Sequence, residues 1–274
     1  MSKADWGFKG ARVAALSIMT VCALYAGAQE NLPEGRELAR QLSELDEGQT
    51  LARKITFELV DRQGKKRTQE TRSFRKYFGD EKRSLIFFTS PKNIEGTAFL
   101  TYDYADPAKA DDQWLYLPAT RKARRISASD RGDYFLGTDL SYDDMKHESD
   151  FTLEDYNWKT LSTEDVDGHK CYVLEAVPVA PETAEALGYG KVHFIVDQQN
   201  KMKRKAEFWD PNGQPLKTIL FQDIRQVSGI WTIHKISAEN IQNGHKTTLT
   251  FEDVKFNEEI ADQMFTEQSL IRGL

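Results

Sequence analysis

The sequence predicts a mainly β, single-domain protein built on one highly curved antiparallel sheet or barrel. Three observations lead there. From Leu51 to Phe256 apolar residues recur with a period of two in about thirteen short segments, the pattern of strands with one face buried. The segments are joined by turn sequences such as Gly79-Asp80, Asp167-Gly168, Asp210-Pro-Asn-Gly213, Ser228-Gly229 and Asn243-Gly244, too short for anything but antiparallel neighbours. So many strands in a chain with no linker rich in Pro, Gly or Ser must curl rather than lie flat.

Residues 1–28 stand apart from this pattern. Lys3, Lys9 and Arg12 supply positive charge, Val13 to Tyr25 is an apolar run, and Ala26-Gly27-Ala28 is a small-residue cleavage site before Gln29. A signal peptide over residues 1–28 is therefore expected, leaving a mature domain over residues 29–274. The run is shorter than the roughly 20 apolar residues that a membrane span needs. Cys22 follows Thr20-Val21, whereas a lipoprotein signal carries a small residue directly before its cysteine, so a soluble product is expected. Cleavage leaves Cys171 as the single thiol, which excludes an intramolecular disulfide and makes the core responsible for stability. Its setting, HKCYVLEAV, reads as a strand and predicts a buried, inert thiol. Loss of Lys3, Lys9, Arg12 and Asp5 turns 37 basic and 43 acidic residues into 34 and 42, a net charge of −8, which argues against nucleic acid as a partner.

After Pro33, EGRELARQLSELDEG places Leu38, Leu42 and Leu45 on one stripe of a helix that Gly48 ends. Strands come next at Leu51 to Val60, at a polar return ending in Phe74 to Phe78, and at 84–89, 97–104, 113–118 and 122–127. Beyond residue 145 they resume at 151–158, 170–179, 190–196, 202–209, 215–224, 230–241 and 246–256, with a short helix within 178–188. SLIFFT (84–89) is apolar on both faces, Leu85 and Phe87 on one and Ile86 and Phe88 on the other, so both sides of the sheet should be covered there. The first helix is placed to cover the concave side. A curved sheet with a helix inside it encloses apolar space, either a pocket for a hydrophobic ligand or a packed core.

No GxSxG, Walker loop, strand-linked GxGxxG or HExxH is present, so no catalytic residue and no cofactor is assigned. His147, His169, His193, His234 and His245 are scattered at no ligand spacing. Asp139, Asp143 and Asp144 lack the alternating oxygens and central glycine of a calcium loop, so no metal is expected. Arg131-Gly132-Asp133 is a lone tripeptide match without weight. In TRKARRIS (120–127) a strand puts Arg121 and Arg125 on one face and Lys122 and Arg124 on the other. Arg121, Arg124 and Arg125 are candidates for contact with a lipid phosphate or a partner protein, or else pair with Asp130 to Asp144.

TSPKNIEGTAFL (89–100), WLYLPATRKARRIS (114–127) and GTDLSYDDM (137–145) resemble the signatures of the outer-membrane lipoprotein-sorting family, a LolA-like group of exported bacterial proteins. VDQQNKMKRKAEFWDPNGQPLKTILFQDI (196–224) and FEDVKFNEEIADQMFT (251–266) are similar to the last strands of the wider superfamily, with Thr120 standing where a bulkier apolar residue belongs to the pattern. The resemblance implies an unclosed antiparallel β-barrel with a helical lid, a concave apolar face that receives acyl chains, a periplasmic location and no enzymatic activity.

Between the two runs of strands, SDRGDYFLGTDLSYDDM (129–145) has neither a helix nor a strand period, yet carries Tyr134, Phe135, Leu136, Leu140, Tyr142 and Met145 among five aspartates. Under the resemblance it is a mobile lid over the cavity mouth, apolar side chains inward and aspartates toward water, whose mutation would weaken lipid binding and leave the melting temperature nearly unchanged. Those six residues, with Leu85, Phe87, Leu38 and Leu42, form the expected lipid-binding and lid set. The expected protein is a monomeric carrier that touches membranes transiently and moves a lipid or lipoprotein between the inner and outer membranes, with an inner-membrane lipid exporter as partner. The alternative is a non-carrying interaction module that docks on such an exporter through the same loop, which requires Phe135, Leu140 and Tyr142 to point outward. A hydrolase ranks third, because no nucleophile and base pair assembles from local sequence.

Overall fold

The computed structural model describes Met1 and residues 32–106, 109–147 and 151–273; apart from Met1, the expected signal peptide lies outside the described residues. Helix α1 (Gly35–Ser43) starts where Glu34 accepts hydrogen bonds from the amides of Arg36 at 3.0 Å and Glu37 at 2.7 Å. Its buried face is Leu38, Ala39 and Leu42, and Arg40 pairs with Glu37 and Glu44 on the solvent side.

Thirteen strands come after it: β1 (Thr50–Val60), β2 (Lys66–Phe78), β3 (Glu81–Ser90), β4 (Ala98–Asp103), β5 (Asp112–Leu117), β6 (Lys122–Arg125), β7 (Tyr156–Val166), β8 (His169–Pro178), β9 (Lys191–Asp197), β10 (Lys203–Trp209), β11 (Pro215–Val227), β12 (Ile230–Asn240) and β13 (Lys246–Phe256). They form one sheet in the order β6-β5-β4-β3-β2-β1-β13-β12-β11-β10-β9-β8-β7, antiparallel throughout. Each strand pairs with its sequence neighbour, and β1 against β13 joins the two meanders. The edges are β6 and β7, so the sheet is not closed. The chain that connects those two edges holds α2 (Tyr142–His147) and three 3₁₀ turns.

The strand period is seen as the sequence predicts, with differences at the edges. β7 begins at Tyr156 rather than Phe151, because Leu153–Asp155 is a 3₁₀ turn. Arg121 is not on the face of β6 that holds Arg125; it sits before the strand, at φ 53°, in the turn from β5. Thr120 is exposed in that same turn and donates its hydroxyl to Leu117 O at 3.1 Å, so a bulkier apolar side chain there would have nothing to pack on. Helix α3 (Pro181–Leu187) lies within the predicted 178–188 and ends at Gly188 in the left-handed region. Cys171 is buried, and burial first of all pushes its thiol up to about 11.

Two apolar clusters lie on opposite faces of the sheet. The larger gathers Phe57 of β1, Phe99 of β4, Leu115 of β5, Leu174 of β8, Phe194 of β9 and Phe208 of β10 with Leu38 and Leu42 of α1. Strands that are far apart in the sheet share one cluster, so the sheet curls around it. In β3, Ile86 and Phe88 belong to this inner cluster while Leu85 and Phe87 belong to the other, as alternation requires. The outer cluster is covered by the C-terminal segment, including Ile260, Phe265 and Leu270 of helix α4 (Glu267–Arg272). Polar bonds hold this cover: Tyr102 donates to Phe265 O and Lys76 to Ile260 O, each at 2.7 Å. Both faces of SLIFFT are thus covered, but Leu85 and Phe87 face away from the concave space and are removed from the lipid-binding set.

Candidate functional site

The connector between β6 and β7 turns back into the curl of the sheet. Phe135 is fully buried, its ring 5.1 Å from Phe99, 6.1 Å from Phe88, 6.5 Å from Phe57 and 5.5 Å from Tyr142. Leu140, Tyr142 and Met145 are buried in the same cluster, and Leu136 packs against it. Leu136 sits at φ 46°, ψ 35°, a left-handed conformation that is rare for a branched side chain and costs on the order of 1 kcal/mol. Tyr134 alone of the six is largely exposed, and its hydroxyl accepts from Asn240 Nδ2 at 2.7 Å.

The segment is a hydrogen-bonded plug, not the loosely held lid that its lack of period predicts. Phe135 N–H donates to Leu140 O at 2.7 Å, Tyr142 N–H to Asp133 O and Asp143 N–H to Arg131 O at 3.0 Å, and Tyr134 pairs with Ser141 as an antiparallel bridge. Ser141 N–H donates to Asp144 Oδ2 and Asp144 N–H to Ser141 Oγ, which starts α2. A Cβ at Gly132 would stand 2.7 Å from the Leu187 carbonyl, so only glycine lets the plug pass this close to the end of α3.

Asp133 is exposed and Asp130 partly so, as expected, but Asp139, Asp143 and Asp144 turn toward cations and donors within the fold. Lys217, on β11 and fully buried, donates to Asp144 Oδ2 at 2.5 Å, to Tyr189 OH at 2.7 Å and to Asp139 O at 3.0 Å. Tyr189 in turn donates to Asp144 Oδ2 at 2.8 Å, and Asp139 Oδ2 accepts from Thr247 at 2.7 Å. Asp143 faces Arg131 at 3.9 Å, and Arg131 reaches Asp155 at 2.8 Å. A buried ammonium needs a counter-charge, and the plug supplies it. Among the described residues no group of His, Cys, Asp and Glu is arranged to hold a metal ion.

Burial raises the Asp143 carboxyl to about 6, against the opposing pull of Lys146 and Arg131, with Asp144 and Asp155 adding to the rise. Burial also raises Asp139, with Thr247, His245 and Lys217 opposing. A folded pKa above the unfolded value favours the fold at low pH and loses that advantage as pH climbs through the folded pKa. Between about pH 4 and 6 Asp143 therefore withdraws up to about 3 kcal/mol. Asp143→Asn cannot ionise, so its melting temperature relative to the parent should move in its favour between pH 4 and pH 7. Parallel melting curves for the two proteins would contradict this.

Among the described residues a wide cleft of about 610 Å³ opens beside α1 and α2, lined in part by Arg40, Tyr104, Arg131, Asp143, Lys146 and Phe151, and two smaller cavities lie on the inner face. One of about 110 Å³ lies beneath α1 and α2 and is lined in part by Leu42, Leu45, Ile86, Met145, Met202 and Phe251. The second, about 50 Å³, lies among Leu140, Phe151, Tyr156, Phe208 and Ile219, and Lys203 borders both. Of the expected residues, then, Leu42, Met145 and Leu140 line open space, and Leu38, Phe135 and Tyr142 fill the core beside it. Arg121, Arg124 and Arg125 are exposed at the β6 edge, and Arg125 pairs with Asp112 of β5 rather than with the plug. Sequence reasoning missed the buried cations of the inner face. Lys217 was legible by parity, since it shares a strand face with Ile219 and Phe221 of the inner cluster.

This chain is 31% identical, with a TM-score of 0.78, to a crystal structure described as an outer membrane lipoprotein-sorting protein domain from Vibrio parahaemolyticus, over 87% of this chain and 98% of that one. The chain belongs to the LolA-like, outer-membrane lipoprotein-sorting family. A DUF1329 family protein from Desulfovibrio piger is 27% identical at a TM-score of 0.80, over 86% of this chain and 97% of that one. A LolA superfamily protein from Nitrosomonas europaea shares the fold at 21% identity and a TM-score of 0.65, over 87% and 100%. A family model described as "-like: Uncharacterized protein" matches residues 80–272. No curated protein sequence matches this member of the LolA-like family. The Vibrio and Desulfovibrio alignments cover nearly the full length of those chains, so the likeness in fold extends over them as a whole.

Proposed function

We propose that this LolA-like protein is a periplasmic carrier, exported with removal of residues 1–28, that shields acyl chains of a lipid or lipoprotein during transfer between the inner and outer membranes. The observation that supports it best is the apolar plug inside an unclosed sheet. Phe135, Leu140 and Tyr142 occupy, in the closed state, space that an acyl chain would fill. Each buried methylene contributes about 0.8 kcal/mol, so a long chain can displace a plug that contributes several kcal/mol of its own. Exchange of one apolar filling for another lets a carrier load without exposing its interior and release without a large barrier.

Native mass spectrometry of protein isolated without detergent should show bound lipid, or the empty protein should take up a fluorescent acyl probe. Uniformly empty protein that also refuses the probe overturns the carrier reading. The interaction-module reading draws no support from Phe135, Leu140 and Tyr142, which point inward. No exporter contact is needed for the carrier chemistry, and the arginines of the β6 edge remain the exposed basic group from which such a contact would be built.

A further inference from the structure

Resting on the carrier reading, we propose that the 110 Å³ cavity beneath α1 and α2 is specific for the anionic end of a single-chain amphiphile, a carboxylate or phosphate carried on one acyl chain. The chain as a whole carries a net charge of −6, yet the lining of this cavity is basic. Among the described residues, Arg53, Arg75, Lys82, Lys146, Lys201 and Lys203 line it against only Asp46 and Glu47. Arg75, Lys82, Lys146 and Lys203 are each more than nine-tenths buried.

The carboxylates near these cations are shared. Glu47 accepts from Arg75 at 2.6 Å and stands 3.9 Å from Lys82, while Asp103 stands 3.5 Å from Lys82 and 3.7 Å from Lys146. Lys146 also pairs with Asp111. The Lys203 ammonium lies 5.4 Å from the ring centroids of Phe194 and Phe221 and 5.6 Å from that of Phe151, at the wall between the two cavities. An anion that enters this cavity meets several buried ammonium and guanidinium groups at once, and the low-dielectric surroundings strengthen their attraction for it. Apolar lining from Leu42, Leu45, Ile86, Met145, Ile233 and Phe251 receives the methylenes attached to the head group.

The cavity's 110 Å³ equals on the order of seven water-sized volumes, enough for a head group and the first methylenes but not for two chains side by side. The rest of the tail would take the space of the plug, so head-group capture precedes plug displacement.

The test is competition against a fluorescent acyl probe by palmitate, 1-palmitoyl-lysophosphatidate, hexadecanol, hexadecylamine and inorganic phosphate. At least one of the two anionic amphiphiles should compete roughly tenfold or more better than hexadecanol, and hexadecylamine should be the weakest of the chains. Whether carboxylate or phosphate leads identifies the head group. The variant K82Q/K203Q should bring the anionic ligands down to the level at which hexadecanol binds the same variant, whereas K82R/K203R should keep the preference. Equal binding of hexadecanol and both anions to the parent protein overturns the head-group inference and leaves the carrier reading standing, a result that needs no variant to fold. Survival of the preference in folded K82Q/K203Q, or full competition by inorganic phosphate alone, also overturns it. Failure of every chain, hexadecanol included, overturns the carrier reading itself.

Discussion

Changing Leu140 and Tyr142 together to serine is expected to lower the melting temperature by roughly 10 °C or more. Both side chains are buried in the inner cluster, and the Tyr142 ring stands 5.5 Å from Phe99 and from Phe135. Removing a buried side chain of this size costs about 2 to 5 kcal/mol, and a domain of this length loses about 2 to 4 °C per kcal/mol. The two residues share a cluster, so their effects need not add. The same change should strengthen uptake of an acyl probe by the folded fraction, because the plug and the chain compete for one space and a weakened plug shifts the population toward the open state. Thermal denaturation and probe titration on the one variant give both answers. An unchanged melting temperature would return the segment to the loose lid that its sequence suggests, and a loss of probe binding with the fold intact would make these side chains part of the lipid contact.

The second large effect is expected at Lys217. Lys217→Met keeps the length of the side chain but leaves the Asp144 carboxylate, already held by Tyr189 OH and Ser141 N–H, without its cation. Breaking a buried pair on one side costs about 3 to 5 kcal/mol, since the remaining charge stays desolvated. Asp144→Asn should cost less, because the amide can still take part in the hydrogen bonds around it. Adding Asp144→Asn to Lys217→Met should recover part of the loss, so the double variant should be more stable than Lys217→Met alone. Chemical denaturation of the four proteins measures this. Strict additivity of the two single losses would show that the ammonium and the carboxylate are not coupled and that the plug is held by apolar packing alone.

How much of this molecule was legible beforehand depends on how far away the deciding partners lie. Leu38 and Leu42 declare the first helix because the stripe they form is complete within ten residues, and the alternation of Leu85, Ile86, Phe87 and Phe88 declares two covered faces because a strand's period is two. Those are local facts, and with the turn sequences they are enough for thirteen antiparallel strands in a highly curved sheet or barrel; that the sheet stays open is what the resemblance implies and the strand order shows. The resemblance of three short segments supplied the family, and it implies the same fold independently.

Which face of β3 is concave was not a local fact. Leu85 and Phe87 look no different from Ile86 and Phe88 in sequence, and only the C-terminal Phe265 and Leu270, closing over one side, decide that the concave pair is the other. The plug is the stronger case. Asp139 meets Thr247 at a separation of 108 residues and Asp144 meets Lys217 at 73, so residues 129–145 have no period of their own to show. Their conformation is imposed by a buried ammonium and by an aromatic pocket formed from β1, β3 and β4. The sequence by itself determined the strands, their order of pairing with neighbours and the family. Tertiary structure alone decided that Asp139, Asp143 and Asp144 turn inward and the loop is core, because an isolated buried charge costs more than ordering a loop to neutralise it.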